Sequence, residues 1–189
     1  MSIFIKQYTK NTIVYGIMMI SIFMKQPISY NIHSNFLSAE ECDNLLSSIP
    51  QPTPYNETTP LDRTELDIPE GLWYRLEYLP MRVEVPVTDA ILDKLKKIMC
   101  KPFKIYDDRM YIIKYEEGDE ATLHRDPCDD TLIIQLNDNF TGGTLYLDRY
   151  PIELDKGSAV LFTNNTCFHK VKTIQSGTRL TLAMWINYL

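Results

Sequence analysis

The chain has 189 residues, of which 44% are hydrophobic and 23% are charged, a composition typical of one globular domain that excludes a disordered or fibrous chain. Its formal net charge of -6 argues against a nucleic-acid partner, because phosphate binding draws most of its affinity from Lys and Arg. The four cysteines form no CxxC pair, which disfavours a zinc ribbon or a dithiol redox motif and suits a reducing compartment.

An uncharged, mostly apolar run extends from Asn11 to Met24, and two lysines precede it. It resembles a signal peptide or a short anchor, but it is shorter than the ~20 residues that span a bilayer, and no small-x-small cleavage site follows. Three interpretations of residues 1–24 are therefore open. They are a dispensable extension with Met24 as the true start, an anchor or uncleaved signal, or a packed strand. A cytoplasmic protein is expected unless the run acts as an anchor or signal, which would place the protein at a membrane or in the endoplasmic reticulum. In each case residues 25–189 are expected to form the single domain.

Two helices are predicted in the first half of the chain. Ser38 and Glu41 form a capping box that begins the first helix, and Pro50 ends it. A proline-rich loop then extends to about Pro69. The spacing of apolar residues predicts the second helix from Thr88 to Cys100.

After Pro102 the sequence is typical of short strands separated by turns. The predicted strands are Arg109 to Glu116, Ala121 to Asp126, Thr131 to Asn137, Thr144 to Asp148, Ser158 to Phe162, Cys167 to Thr173 and Arg179 to Asn187. Such a run favours a sandwich or a jelly roll over alternating strands and helices.

The alternation within the last strand indicates which face meets which environment. One face is wholly apolar and the other is mixed: Leu180, Leu182, Met184 and Ile186 against Arg179, Thr181, Ala183 and Trp185. The apolar face needs a cover, which the two helices can supply. The mixed face is expected to line a cavity that holds a ligand, because polar groups are costly in a dry core.

His124 and Asp126 are two residues apart on one predicted strand, so both side chains project to the same side. His169, on a later strand, can supply a third ligand. Two histidines and one carboxylate form a facial triad that leaves positions open on iron(II). The sequence therefore predicts a metal site at these three residues.

Arg179 follows His169 by ten residues and begins the inward face of the last strand. A buried, unpaired guanidinium is costly unless an anion meets it. The distal carboxylate of 2-oxoglutarate is a suitable partner, because a guanidinium binds a carboxylate through two parallel hydrogen bonds. Pairing with an acid of the protein is the alternative.

Three other residues carry weaker signals. His33 precedes the first helix and is interpreted as a surface or loop histidine. Cys128 and Cys167 each lie within a few residues of a predicted ligand. They are expected to be ordinary half-buried thiols, with oxidation near the metal or a disulfide between them as alternatives.

At these residues the sequence resembles the prolyl 4-hydroxylase-like Fe(II)/2-oxoglutarate-dependent dioxygenases. The resemblance is carried by KYEEGDEATLHRDPCDDTLIIQLNDNFTGGTLYLD and, after it, by KGSAVLF, FHKV and SGTRLTLAMWI, while FLSAEECDNLL is similar to the N-terminal helix of the family. It covers roughly Ile32 to Ile186. The ordered combination of HxD, a double glycine, KG, His and G-x-R makes it specific.

The resemblance implies a mainly β fold with flanking helices, a double-stranded β-helix of the jelly-roll or cupin type. It implies iron(II) on His124, Asp126 and His169, 2-oxoglutarate as co-substrate on Arg179, O2, and ascorbate as a further cofactor. Tyr115 matches a tyrosine near the co-substrate, although a core aromatic is an equal alternative. Gln135 stands where relatives place another group that contacts the same carboxylate.

The function implied is hydroxylation of a protein or peptide side chain, prolyl first and lysyl second. Collagen is a doubtful substrate, because collagen-type members usually have lysine in place of Arg179 and carry a separate peptide-binding domain for which this chain has no room. Oxidative nucleic-acid demethylases have a second arginine at the position of Trp185, so no nucleic-acid partner is expected. Contact with a membrane is expected only if residues 11–24 act as an anchor.

Two other hypotheses stay open at this point. A catalytically silent β-helix that binds a peptide would have no reason to keep Arg179. A cupin-type enzyme without 2-oxoglutarate would usually have a third histidine near the first, at the position that Asp126 occupies.

Overall fold

The computed structural model describes residues 4–9, 12–17, 28–49, 73–75 and 80–189. Its helices are α1 (Ala39–Ser48), α2 (Asp89–Ile98) and one 3-10 turn (Tyr106–Asp108). The strands are β1 (Phe4–Thr9), β2 (Thr12–Ile17), β3 (Tyr30–His33), β4 (Trp73–Arg75), β5 (Met81–Pro86), β6 (Phe103–Ile105), β7 (Arg109–Tyr115), β8 (Ala121–His124), β9 (Asp130–Gln135), β10 (Phe140–Gly142), β11 (Leu145–Leu147), β12 (Tyr150–Ile152), β13 (Ala159–Thr163), β14 (His169–Val171), β15 (Ile174–Gly177) and β16 (Arg179–Tyr188).

Two antiparallel sheets form the domain. The larger has the order β3-β13-β9-β16-β7-β5-β4, and β6 pairs with the far end of β16. The smaller has the order β12-β11-β14-β8, and β10 pairs with β15 beside it. Strands that are distant in the chain are therefore neighbours in each sheet, as in a jelly roll, and the predicted fold class is confirmed.

The two faces of the larger sheet bury different residues. Its outer face, including Leu182 and Met184, packs against Cys42 of α1 and Leu95 of α2 in one hydrophobic core. A second core lies between the two sheets, where side chains of the larger sheet such as Phe162 meet those of the smaller one. The prediction that the helices cover the apolar face of the last strand is confirmed.

Local sequence accounts for the ends of the two helices. Ser38 and Glu41 form the expected capping box, with each side chain bonded to the backbone nitrogen of the other residue. Thr88 caps α2, whose last residue is Ile98, two residues before the predicted end at Cys100. The predicted loop from Pro50 to Pro69 lies outside the described residues.

Some predicted bounds are wrong. β8 ends at His124, so Asp126 lies beyond the strand rather than on it. The predicted strand Cys167 to Thr173 shortens to β14. β5 was not predicted at all, although it pairs with β7 over six residues. His33 ends β3, paired with Ala159, instead of lying in a loop.

At the N-terminus β1 and β2 pair with each other, and β2 occupies part of the apolar run. The rest of that run lies outside the described residues, so the extension or anchor over residues 1–24 stays a prediction. In the described part of the chain, no helix has the length and apolarity that a membrane span requires.

Candidate metal centre and anion pocket

The fold brings the three predicted metal ligands together. His169 of β14 pairs in register with His124 of β8, and their ring centroids are 4.1 Å apart. Asp126, two residues beyond β8, lies 3.7 Å from Nε2 of His124 through Oδ1 and 3.5 Å from Nε2 of His169 through Oδ2. One ligand atom from each residue lies within 4.8 Å of the other two.

The protonation of the histidines suits a metal. Nδ1 of His124 lies 2.6 Å from the Thr122 carbonyl oxygen, so Nδ1 carries the hydrogen and the lone pair of Nε2 points to the centre. His169 is 4% exposed, and burial, opposed by the Asp126 charge, lowers its pKa to about 4. It is therefore neutral at pH 7, the form that binds metals.

This donor set fits a divalent cation. The Nε2–Oδ separations of 3.5 and 3.7 Å are too long for good hydrogen bonds. Acceptor lone pairs of two imidazoles and a carboxylate face one another, an arrangement that becomes favourable when a cation lies between them. Iron(II) in a facial triad has this ligand set.

Cys128 and Cys167, near the ligands, are both free thiols. Cys167 is fully buried and donates to the Phe168 carbonyl oxygen. Burial raises the pKa of Cys128 to about 11, so its thiol is neutral and adds no second negative charge beside Asp126.

Arg179 lies on the inner face of the larger sheet, where it pairs in register with Tyr115. It is 3% exposed, and burial lowers the pKa of its guanidinium, which nevertheless stays charged at neutral pH. Its Nε donates to Oε1 of Gln135 at 3.0 Å, and the guanidinium lies 5.4 Å from the Tyr115 ring centroid. No carboxylate of the described residues pairs with it, so the alternative of an internal acid partner has no support.

The Gln135 side chain makes all of its hydrogen bonds among the described residues to other groups of the protein. Its Nε2 donates to the carbonyl oxygens of Asn137 and Leu180 at 3.0 and 3.1 Å, while Oε1 accepts from Arg179. It therefore orients the guanidinium and has no remaining donor for a ligand. The phenol of Tyr115 is buried, which raises its pKa and keeps it a neutral hydrogen-bond donor.

The double glycine gives the Arg179 side chain room. Gly143 has φ +64, and a Cβ there would lie 2.4 Å from Cδ1 of Ile174 and 3.1 Å from Cδ of Arg179. A larger residue would therefore displace the guanidinium. The sequence marks this pair as a turn and a family motif, and the structure supplies the steric reason.

Trp185, which the sequence places on the inward face of the last strand, packs with two aromatic residues for which no role was predicted. Tyr111 packs on Trp185 at 4.5 Å between centroids, and Tyr106 meets Trp185 edge-on at 6.4 Å. Trp185 pairs in register with Thr131, whose hydroxyl bonds Asp126. Trp185, Tyr111 and Tyr106, here called the aromatic wall, thus lie at the metal-centre end of β16, away from Arg179. Tyr111 alternates with Tyr115 on β7, and this shared inward face is the signal in the sequence that could have identified Tyr111.

Comparison with known proteins agrees with this geometry. Residues 110–187 match the model of the 2OG-Fe(II) oxygenase superfamily. No curated protein is significantly similar in sequence to the chain.

Several solved structures share the fold. The viral collagen prolyl hydroxylase of Paramecium bursaria Chlorella virus-1, in complex with 2OG, is 17% identical, with a TM-score of 0.59 over 88% of this chain and 99% of its own. A prolyl-4-hydroxylase of Pseudomonas putida is 15% identical, with a TM-score of 0.55 over 86% and 94%. A Trichoplax adhaerens prolyl hydroxylase, in complex with a peptide of the hypoxia inducible factor oxygen degradation domain, is 16% identical, with a TM-score of 0.54 over 84% and 83%.

The matched segment contains all three clustered ligands and Arg179, and the fold is that of the prolyl hydroxylases. Residues 110–187 are therefore similar to the 2OG-Fe(II) oxygenases, and the chain shares the fold of the prolyl hydroxylases. This similarity indicates a dioxygenase, and the matched superfamily is one that uses iron(II) and 2-oxoglutarate.

Proposed function

We propose that the protein hydroxylates a prolyl side chain of a protein or peptide. His124, Asp126 and His169 would hold iron(II), and Arg179 would hold the distal carboxylate of 2-oxoglutarate. The observation that carries the proposal is the presence, inside one barrel, of the clustered triad and of a buried guanidinium without an acidic partner among the described residues.

Each side chain has a definite task in this proposal. Iron(II), 2-oxoglutarate and O2 together would supply the oxidising chemistry, in which a C–H bond becomes C–OH and 2-oxoglutarate leaves as succinate and carbon dioxide. The imidazoles of His124 and His169 would donate lone pairs to the metal. Arg179, fixed through Nε by Gln135, offers its Nη groups to the carboxylate. Tyr115, beside it, can donate a further hydrogen bond.

The aromatic wall supports a prolyl substrate. A pyrrolidine ring presents apolar C–H groups that would pack well on aromatic rings, and Trp185 pairs in register with Thr131, whose hydroxyl bonds Asp126. The three prolyl hydroxylases above have the same fold, and one was solved with a peptide. A lysyl side chain, whose stem could follow the same wall, is the second candidate.

Collagen-like peptides belong in the test. The viral collagen prolyl hydroxylase is matched over 99% of its chain, so the length of this chain does not exclude a collagen-like peptide as substrate.

The test is oxygen incorporation into defined peptides. Purified protein with iron(II), ascorbate and 2-oxoglutarate is given three peptide sets: collagen-like prolyl, other prolyl, and lysyl. We expect succinate release together with the mass gain of one oxygen on a prolyl residue, and neither product from His169→Ala. Hydroxylation of lysyl peptides alone would contradict prolyl specificity, and no succinate with any peptide would favour the silent β-helix.

A further inference from the structure

The side chain and the backbone nitrogen of Asp126 belong to one closed ring of hydrogen bonds. Its Oδ2 accepts from Oγ1 of Thr131 at 2.7 Å. Oγ1 of Thr131 accepts from Nδ2 of Asn164 at 2.8 Å. Oδ1 of Asn164 in turn accepts from the backbone nitrogen of Asp126 at 3.4 Å.

The ring has one consistent direction. The Asn164 amide nitrogen can only donate, so the Thr131 hydroxyl must accept from it and give its own hydrogen to Asp126. If the Asn164 amide were rotated by half a turn, its oxygen would face the Thr131 oxygen and its nitrogen would face the backbone nitrogen of Asp126, so acceptor would meet acceptor and donor would meet donor. The second hydrogen of Nδ2 points to Sγ of Cys128, 3.1 Å away. Thus Asn164 fixes the Thr131 hydroxyl, and that hydroxyl fixes the carboxylate.

The ring is also buried and joins separate parts of the fold. Thr131 is 1% exposed and Asn164 is 2% exposed. Thr131 lies on β9, Asn164 follows β13, and Asp126 follows β8. The backbone nitrogen of Asn164 also donates to the Asp129 carbonyl oxygen at 2.8 Å. A buried ring with every member satisfied resists rotation, because breaking any bond leaves an unsatisfied polar group.

We propose that Thr131 and Asn164 are positioning residues that hold the Asp126 carboxylate in the orientation that binds the metal. Asp126 lies outside a strand, so strand pairing does not fix it as it fixes the two histidines. Without the Thr131 hydroxyl, the carboxylate can rotate away from the imidazoles and must be reordered when the metal binds. The inference rests on the proposed metal role of Asp126 and not on the identity of the substrate.

The test measures the affinity for Ni²⁺ alone by calorimetry. Thr131→Val keeps the shape and removes the hydroxyl, and it should weaken Ni²⁺ binding by roughly 10- to 100-fold, as loss of a residue that supports a ligand typically does. Thr131→Ser keeps the hydroxyl and should restore most of the affinity. Thr166→Val is the matched control: among the described residues the Thr166 hydroxyl bonds the Thr163 carbonyl oxygen and no metal ligand, so its removal should change nothing.

A double-mutant cycle separates positioning from general damage. Nickel binds imidazole well, so its affinity stays measurable in Asp126→Ala, where Thr131→Val should have no further effect. An equal loss in both backgrounds would overturn the proposal, as would full affinity in Thr131→Val. If Thr131→Val does not fold, Asn164→Ala carries the same comparison. Absence of Ni²⁺ binding by the wild type would contradict the metal centre itself. Ni²⁺ binding by the wild type with an unchanged affinity in Thr131→Val would contradict only the positioning role.

Discussion

Arg179 is a buried cation whose Nε donates to Gln135, and this arrangement predicts a specific phenotype. Arg179→Ala should weaken 2-oxoglutarate binding by about 30-fold or more, since charge-assisted hydrogen bonds contribute about 2 kcal/mol. Metal affinity should stay nearly unchanged, because Arg179 is not one of the clustered ligands. Calorimetry with Mn²⁺, and then with 2-oxoglutarate on the Mn²⁺-loaded protein, measures both quantities.

Arg149→Ala is the control for this variant, because Arg149 is exposed and contacts Tyr150. It should leave both affinities as they are. A parallel loss of metal and 2-oxoglutarate affinity in Arg179→Ala would show instead that the arginine supports the fold.

The Cys128 thiol should react slowly in the folded protein. Burial raises its pKa to about 11, so at about pH 8.5 its alkylation should be roughly 10- to 100-fold slower than in the urea-unfolded chain. Mass spectrometry after timed iodoacetamide treatment of metal-free protein gives the rates, with the exposed Cys100 as the internal reference. Equal rates in folded and unfolded chain would contradict the buried environment.

At the scale of single residues, the sequence identified groups whose chemistry is unusual. His124, Asp126, His169 and Arg179 could be found because metal-ligating side chains in a facial-triad order, and a cation on the inward face of a strand, are uncommon in a structural core. Thr131 and Asn164 could not, since buried threonines and asparagines are common and their role depends on a partner 33 positions away. Arg82, a second buried arginine, was missed together with its strand.

Among the elements, the connection between α1 and the larger sheet depends on Gly157. Its carbonyl oxygen accepts from the Leu37 nitrogen at 2.9 Å, its φ is +83, and a Cβ there would lie 2.1 Å from the Leu37 carbonyl oxygen. Gly157→Ala should therefore lower the free energy of unfolding by roughly 3 kcal/mol, from left-handed strain plus displacement of the start of α1.

Gly118→Ala is matched to this change, because Gly118 has φ +89 and nothing within 4 Å of a built Cβ. It should cost about 1 kcal/mol, the strain alone. Urea denaturation of both variants measures the difference, and equal losses would show that the contact with Leu37 carries no energy.

Alternation and capping predicted the two helices and the longer strands of the second half of the chain well. β7, β9, β13 and β16 lie within a residue or two of their predicted bounds, because a strand with one covered face leaves a period of two in the sequence. β5 was not predicted because its burial depends on pairing with β7, which the local sequence pattern does not reveal.

For the whole molecule, burial of His169 links stability to pH. An unfolded histidine titrates near 6.5, whereas the pKa of His169 is lowered to about 4. Between these values the unfolded chain binds a proton that the folded chain does not, so the free energy of unfolding falls as pH falls. From about pH 7.5 to about pH 5 the loss from this residue is roughly 2 kcal/mol.

Urea unfolding of metal-free protein at both pH values measures this loss. His169→Gln removes the titration and corrects for carboxylates that also titrate in this range. The wild type should lose about 2 kcal/mol more than the variant on acidification. The same loss in both proteins would mean that His169 is hydrated when folded.

The sequence by itself determined the candidate metal ligands, the alternation that places Arg179 inside the barrel, and the capped helices that cover the apolar face of the last strand. These depend on residue type and short-range periodicity, which the chain carries locally. Only the tertiary structure decided that Gln135 holds Arg179 from 44 positions away, that Asp126 is held by side chains rather than by a strand, and that aromatic rings lie beside the metal centre. Those contacts follow from which strands pair and in what register, and that pairing is set by the closure of the whole barrel.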